Sequence, residues 1–555
     1  MLVTKNLTLG LPELITLKSF SLFSEYFLCI SIIYVLIVIV LITYNVYGLM
    51  LQKAVSECLF LTSVMASYLV FNDDLASSNL TTFNNSIMSD NLSYFSKIVI
   101  CLFSAIYFLI ISTFLKSQKL TSFEYLLIVL FSVLGLLLMC SSNDLLIAYL
   151  AIELSSLALY ILASFKKTSN YSLDSGIKYF ITGAVSSSFF LLGCAFIYGS
   201  IGSINFTDFS FFVSREPTVR YDFFDLLFYL LNTSLNHFVI FRELLYKEFI
   251  IFHVYTANVS VGLDVLNYTL IEVGLMFILF GLFIKLALAP FHLWSLDVYE
   301  GSPTSSTVFF AVLTKLSIFV LLIRLCYRAF PDFSDYWQFC CVWVSMFSVF
   351  VGSFGGLTQR KLKTLLAYSS TSHMGYVLLA FSTINAHGLQ MASFYIVIYM
   401  LASLCSWYIV LLLELKRKIE TKYTKELSDF SNLKKSNPAL AFSFAVTMFS
   451  MAGIPPLIGF FTKMTIFLSL IKANFFFVSL MVILCSVVST FYYIRIIKVL
   501  YFENTLVGKL YNPIKTNKTV ILSVLILLTI FLLLNPTLFY LINSKIFSAM
   551  FYSGW

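Results

Sequence analysis

A chain of 555 residues that is 60% hydrophobic and only 11% charged, with a mean hydropathy of +0.93, excludes a soluble globular protein. Apolar runs of about 18 residues or more recur along it, each long enough to cross a roughly 30 Å hydrocarbon core as a helix. The formal charge of +8 does not point to nucleic acid, because the basic residues lie in loops flanking the apolar runs rather than in one patch, and we read them as topology signals.

The runs are continuous and leucine-rich rather than short and alternating, so the backbone must satisfy itself within helices and not in a barrel. The pattern predicts an all-α polytopic membrane protein with about fourteen transmembrane helices. The first three spans, 26–51, 54–71 and 95–115, hold no central charge and are expected to pack and to face lipid. The fourth, 123–140, precedes Ser-Ser-Asn-Asp; the fifth, 145–165, carries Glu153 near its middle, the one carboxylate well inside any span. The sixth, 177–199, has Gly183, Gly193 and the run Ser186–Ser188, small residues that let helices approach closely. A polar interval, 203–267, follows, with two amphipathic pieces at 223–231 and 238–255 that suit interfacial helices. His237 and His253 fall there without a ligand pattern, which reads as surface histidines rather than a metal site.

In the seventh span, from Glu272, Lys285 is followed by Pro290, which cannot donate a backbone hydrogen bond, so the helix should break near its own lysine. The eighth carries Lys315 near its middle. An ammonium at membrane depth costs about 2.5–3.5 kcal/mol on insertion scales, so both lysines are expected to face a protein interior or a hydrated path. The ninth span, 337–354, leads through Gln359-Arg-Lys-Leu-Lys363 to the tenth, 365–382, which holds His373 in a polar sequence. The eleventh, 391–415, ends at a basic segment, 416–435. The twelfth, 438–471, is interrupted by Ala452-Gly-Ile-Pro455-Pro456, with Lys463 just beyond. The two prolines remove backbone donors, and water is expected to satisfy the carbonyls left over. The thirteenth, 475–501, and fourteenth, 520–542, hold no central charge.

Lys and Arg concentrate in loops after odd-numbered spans, among them Lys53, Lys116, Lys166, Arg360 and Lys416. Those loops should face the matrix or cytoplasm, with both termini and 203–267 on the opposite side. Spans seven and twelve share one design, a proline break with a lysine beside it. Two five-helix blocks, spans four to eight and nine to thirteen, therefore correspond, and the odd number inverts the second relative to the first. Inverted repeats with discontinuous helices are a transporter signature with sites at the midplane. The expected organisation is N-terminal helices in 1–122, a first repeat in 123–326 that includes 203–267, a second in 327–502, and a C-terminal helix in 503–555. The midplane set of Glu153, Lys285, Lys315, His373 and Lys463 can pass protons, since making or breaking one pair loads or releases one. The ten cysteines are scattered without a CxxC pair, so an iron–sulfur or zinc site is not expected. No nucleotide, flavin or haem motif is found, no cofactor is expected on this chain, and no cleavable signal peptide is read at its start.

Four segments together carry a family resemblance. They are Lys285-Leu-Ala-Leu-Ala-Pro290-Phe-His-Leu-Trp-Ser-Leu-Asp297-Val-Tyr-Glu-Gly-Ser-Pro-Thr304, Tyr149-Leu-Ala-Ile-Glu153-Leu, Leu366-Ala-Tyr-Ser-Ser-Thr-Ser-His373-Met-Gly-Tyr376, and Met451-Ala-Gly-Ile-Pro455-Pro456-Leu-Ile-Gly-Phe-Phe-Thr-Lys463. In this order the chain resembles the subunit 2 family of respiratory complex I, NADH:ubiquinone oxidoreductase, and Asp297-Val-Tyr-Glu-Gly301 sets it nearer to subunit 2 than to subunits 4 or 5. The resemblance implies an antiporter-like fold in the membrane arm, beside sibling antiporter-like subunits and membrane lipids, with no nucleic acid. It implies proton translocation coupled to ubiquinone reduction, with FMN and iron–sulfur clusters in other subunits of the complex. It assigns Glu153 and Lys285 as an ion pair, Lys315 as central relay, His373 to the polar axis and Lys463 as terminal relay, with helix breaks at Pro290, Pro455 and Pro456. The richness in Phe and Tyr suits an AT-rich organellar genome, and so a mitochondrial inner membrane with the termini and 203–267 on the intermembrane-space side. The interval 203–267 departs from the family pattern. A secondary cation/proton antiporter is the alternative, and a structural spacer with internally paired lysines a third reading.

Overall fold

The computed structural model describes residues 22–42, 48–71, 80–112, 114–115, 124–215, 259–415, 422–423, 426–431, 433–455, 457–503 and 516–534, with single positions at 536, 540 and 544. The amphipathic pieces at 223–231 and 238–255, His237, His253 and Pro456 lie outside the described residues.

Among the described residues, helices occupy the places of the apolar runs. In chain order they are α1 (Phe23–Ile42), α2 (Gly48–Phe71), α3 (Asn91–Ser112), α4 (Glu124–Ser141), α5 (Leu145–Ser164), α6 (Asn170–Ile201) and the short α7 (Phe206–Arg215). There follow α8 (Val259–Leu286), α9 (Leu293–Gly301), α10 (Thr304–Val312), α11 (Thr314–Ile323), α12 (Ser334–Leu357), α13 (Leu362–Phe381) and α14 (Ala386–Leu412). The last four are α15 (Pro438–Ala452), α16 (Ile458–Lys472), α17 (Phe476–Tyr501) and α18 (Thr516–Leu534). Among the described residues, nine helical segments are long and apolar enough to cross a membrane, and shorter apolar helices accompany them. The seventh and twelfth spans are discontinuous, as α8 with α9 and α15 with α16.

The sequence reading differs from the structure at three places. Helix α8 begins at Val259, well before Glu272, so the polar interval is shorter than 203–267, and α7 occupies its opening. Two strands, β1 (Leu80–Thr82) and β2 (Ile87–Ser89), pair antiparallel around Phe83, Asn84 and Asn85, all with positive φ, the conformation in which asparagine is enriched. A second small pair joins β3 (Glu414–Leu415) to β4 (Lys422–Tyr423). Third, the eighth span is itself interrupted at Leu313, between α10 and α11, and ends in a π-helical turn, Arg324–Ala329.

The core positions the polar residues. Helices α10, α11, α13 and α14 are buried over nearly their whole circumference, as expected of helices apolar all round, and Lys315 and His373 sit on two of them. Helices α6 and α8 approach closely through glycines: a Cβ on Gly193 would stand 2.5 Å from the Gly274 carbonyl, and one on Gly281 2.8 Å from that of Ser186. The close-packing reading of the sixth span holds here.

Loops after even-numbered spans gather at one end of the bundle. There the Asn143 N–H bonds the Ser86 carbonyl of the hairpin at 2.9 Å, the Phe206 N–H bonds the Asn143 carbonyl at 2.9 Å, and the Leu145 N–H that of Ile204 at 3.1 Å. In this loop Asp144 is raised from the ordinary 3.8 to about 6, by burial first and by the neighbouring Asp208 second. Loops after odd-numbered spans meet at the other end, where Lys361 pairs with Glu300 and Lys363 donates to the Ser302 carbonyl at 2.8 Å.

Candidate functional site

Both helix breaks close with the same backbone device. At the end of α8 the Leu288 N–H reaches the Phe283 carbonyl and the Ala287 N–H that of Ile284, both at 3.1 Å, with Ala287 left-handed at φ 57. At the end of α15 the Ile454 N–H reaches Phe449 at 3.2 Å and the Gly453 N–H reaches Ser450 at 3.1 Å, with Gly453 at φ 78. This is a Schellman closure, which stops a helix while satisfying part of its last turn. Pro290 and Pro455 follow and prevent the helix from resuming at once. The likeness of the two breaks extends the sequence correspondence between spans seven and twelve to backbone hydrogen bonding.

At each break a side chain donates to one carbonyl of the closing turn. The Lys463 ammonium donates to the Ala452 carbonyl at 2.8 Å, and the Trp294 indole N–H donates at 2.8 Å to the Ile284 carbonyl, which the Ala287 N–H also reaches. A cation at a helix C-terminus also meets the negative end of the macrodipole. Lys463 is 5% exposed and stands 5.4 Å from the Tyr376 ring centroid, so it does not snorkel to an interface.

Lys315, 3% exposed, is the second residue of α11, next to the interruption at Leu313. Its ammonium donates to the Tyr399 hydroxyl at 3.1 Å. His373 is held from both sides, Nδ1 to Tyr395 at 2.6 Å and Nε2 to Tyr493 at 3.1 Å. His373, Lys463, Tyr395 and Tyr399 line one cavity together with Ser450 and Thr462, with about 20 Å³ of space for water centres, enough for one molecule.

Glu153 and Lys285 form a separate locus. The Lys285 ammonium donates to the Tyr160 hydroxyl at 3.0 Å. The expected direct ion pair with Glu153 is not formed: among the described residues the ion pairs within reach do not include it, although Glu153 acts on Lys285 electrostatically. Glu153 Oε1 is buried without a hydrogen-bond partner. The Tyr160 hydroxyl, one heptad after Glu153 on the same side of α5, takes the ammonium in place of the carboxylate.

The structure thus brings Lys315, His373 and Lys463 around one region and leaves Glu153 and Lys285 beside it. Sequence reasoning missed the tyrosines that hold these groups. Tyr160 lies one heptad after Glu153, and Tyr395 and Tyr399 share a face of α14 at i, i+4, but in a chain with 33 tyrosines such spacings do not stand out. It also missed two buried ion pairs. Arg324, 0% exposed, meets Asp90 at 2.5 Å, and Lys97 meets Glu25 at 2.5 Å; both acids and Lys97 lie near helix ends, where charge usually signals solvent.

Comparisons with known proteins give consistent results. Residues 142–489 match the family model described as NADH:quinone oxidoreductase/Mrp antiporter, TM. The chain is 34% identical over 86% of its length and 88% of the relative's to NADH-quinone oxidoreductase subunit N of Pelagibacter ubique. It is 33% identical, over 82% of its length and 81% of the relative's, to NADH-ubiquinone oxidoreductase chain 2 of Marchantia polymorpha. Its fold is similar to that of a chain of respiratory complex I from Thermus thermophilus, with TM-score 0.69, 24% identity and coverage of 93% and 98%. A chain of the Mrp complex from Dietzia gives 0.71, 16%, and 95% and 97%.

Proposed function

Since the chain belongs to the NADH:quinone oxidoreductase/Mrp antiporter family of membrane subunits, we propose that it translocates protons in the membrane arm of an NADH:ubiquinone oxidoreductase, beside sibling antiporter-like subunits. The observation that carries this reading is the gathering of Lys315, His373 and Lys463 around one buried region next to helix interruptions. Buried lysines that can lose and regain a charge, held by groups that do not neutralise them, are suited to passing protons. In this reading Lys285 and Glu153 form the entry side of the relay, Lys315 and His373 its centre, and Lys463 its terminal member. The two inverted units are 123–326 and 327–502, flanked by 1–122 and 503–555. The redox groups, FMN and iron–sulfur clusters, reside in other subunits, and this chain supplies the proton path. The membrane is the mitochondrial inner membrane, with the termini and the loop after the sixth span on the intermembrane-space side.

The identity of about a third to named oxidoreductase subunits favours this over a stand-alone secondary antiporter, because the Mrp likeness at 16% identity speaks for the fold alone. The test is Lys463→Met, which keeps the apolar stem and removes the charge. In vesicles carrying the assembled complex, proton uptake per NADH oxidised is expected to collapse with assembly preserved. Lys463→Arg is also expected to be impaired, because guanidinium holds its proton. Unchanged stoichiometry and rate in the Met variant would remove Lys463 from the path.

A further inference from the structure

We propose that Tyr399 is a catalytic residue of the relay, its hydroxyl passing protons between Lys315 and the cavity that His373 and Lys463 line. The proposal rests on the relay reading above and adds the group that joins its central lysine to its terminal one.

The geometry leaves Tyr399 in that position alone among the named groups. Its hydroxyl receives the hydrogen bond of the Lys315 ammonium at 3.1 Å, and that ammonium stands 4.8 Å from its ring centroid. On the other side the Tyr399 and His373 rings are 5.0 Å apart, and Tyr399 lines the cavity containing Lys463. Lys315 itself does not line that cavity. Both nitrogens of His373 are engaged by Tyr395 and Tyr493, and the Lys315 ammonium bonds Tyr399 rather than the imidazole. A buried phenol costs stability unless its hydroxyl is bonded, whereas a phenylalanine would fill the same wall among Ile398, Ala402 and Met451 without that cost. The hydroxyl therefore serves the contact with Lys315 rather than the packing.

The step balances without an oxidant. An N–H bond of Lys315 breaks as its proton binds the Tyr399 oxygen, and the original O–H bond of Tyr399 breaks as that proton passes to a water molecule in the cavity. Lys315 is left neutral, Tyr399 returns to a neutral phenol, and the protonated water delivers its proton to the neutral form of Lys463. The reverse sequence recharges Lys315.

The experiment compares Tyr399→Phe, Tyr399→Leu, Tyr399→His and Lys315→Met in membranes carrying the whole complex, with assembly read on native gels. Proton translocation driven by NADH is expected to fall about a hundredfold in the Phe variant, the lower end of what a positioned proton-transfer group contributes. The Leu variant should be no worse than Phe, and the His variant, which keeps a proton-carrying nitrogen, should exceed both. Packing as the sole role predicts the opposite order, with Phe at the parental rate and Leu impaired, and would overturn the proposal while Lys315→Met remains impaired. Should Phe fail to assemble, a His variant that assembles yet pumps no faster than Lys315→Met would overturn it as well. If Lys315→Met pumps normally, the relay reading itself falls, and this proposal with it.

Discussion

Gly453 and Lys463 fit one another in two independent ways. The glycine stops α15 in a left-handed conformation, φ 78, that costs an L-residue roughly 1–2 kcal/mol. A Cβ there would also stand 2.8 Å from Lys463 Cδ and 3.3 Å from its Nζ. Gly453→Ala is therefore expected to push the lysine off the Ala452 carbonyl that it bonds at 2.8 Å. The left-handed Ala287 at the other break shows that alanine is tolerated in this closure. The Gly453→Ala complex should accordingly assemble, while its rate of proton translocation falls several-fold, toward that of Lys463→Met. A Gly453→Ala variant with parental pumping would mean that the position of the ammonium over the break is immaterial. The glycine-proline run made the break legible in the sequence, but not the contact across it, because a lysine eleven residues on from Ala452 returns to it only once the chain has turned back.

The helix carrying Lys315 is anchored at its far end by a charge pair. Asp90 accepts from the Ser93 N–H at 2.9 Å, in the manner of an N-cap for α3, and the same carboxylate oxygen receives Arg324 at 2.5 Å. Arg324 also donates to the Ser142 carbonyl at 3.3 Å, so one buried guanidinium ties the end of α11 to α3 and to the loop after α4. Removing one partner of a buried pair typically costs about 3–5 kcal/mol, because the other charge is left uncompensated. Asp90→Asn is expected to lower the amount of assembled complex sharply, and Arg324→Leu in the Asp90→Asn background should restore part of it. A double variant as depleted as the single one would show that the pair itself, and not the orphaned charge, supports the element. Sequence periodicity made the helices legible because apolar length is what a membrane selects. It could not show the interruption at Leu313 or the π-helical turn, since neither is marked by proline or glycine: Leu313 lies in Val-Leu-Thr-Lys and the turn in Arg-Leu-Cys-Tyr-Arg-Ala. The hairpin was passed over for a related reason, its strands being three residues each.

At the scale of the molecule, two observations independent of one another sort the chain into two ends. The charge bias of the loops, a sequence property, sets odd-numbered loops apart from even ones. The hydrogen bonding gathers the hairpin, the α4–α5 loop and the start of α7 at one end, and the α9–α10 and α12–α13 loops at the other. The charge bias also orients the two ends: under the positive-inside rule the end with the hairpin is the outer one. It follows that a cysteine replacing Phe83, exposed at the hairpin tip, or Asp225, which belongs to the polar interval of the sequence and lies outside the described residues, should react with a membrane-impermeant maleimide in sealed right-side-out vesicles. A cysteine replacing Thr358, in the loop after α12, should react only once the membrane is opened. Two positions are used on the outer side because a neighbouring subunit over the hairpin would shield one of them without changing the topology. If Thr358→Cys reacts in sealed vesicles while the other two require opening, the molecule is inverted. The relay that ends at Lys463 would then stand reversed between the two compartments, even though every contact around the lysine stayed the same.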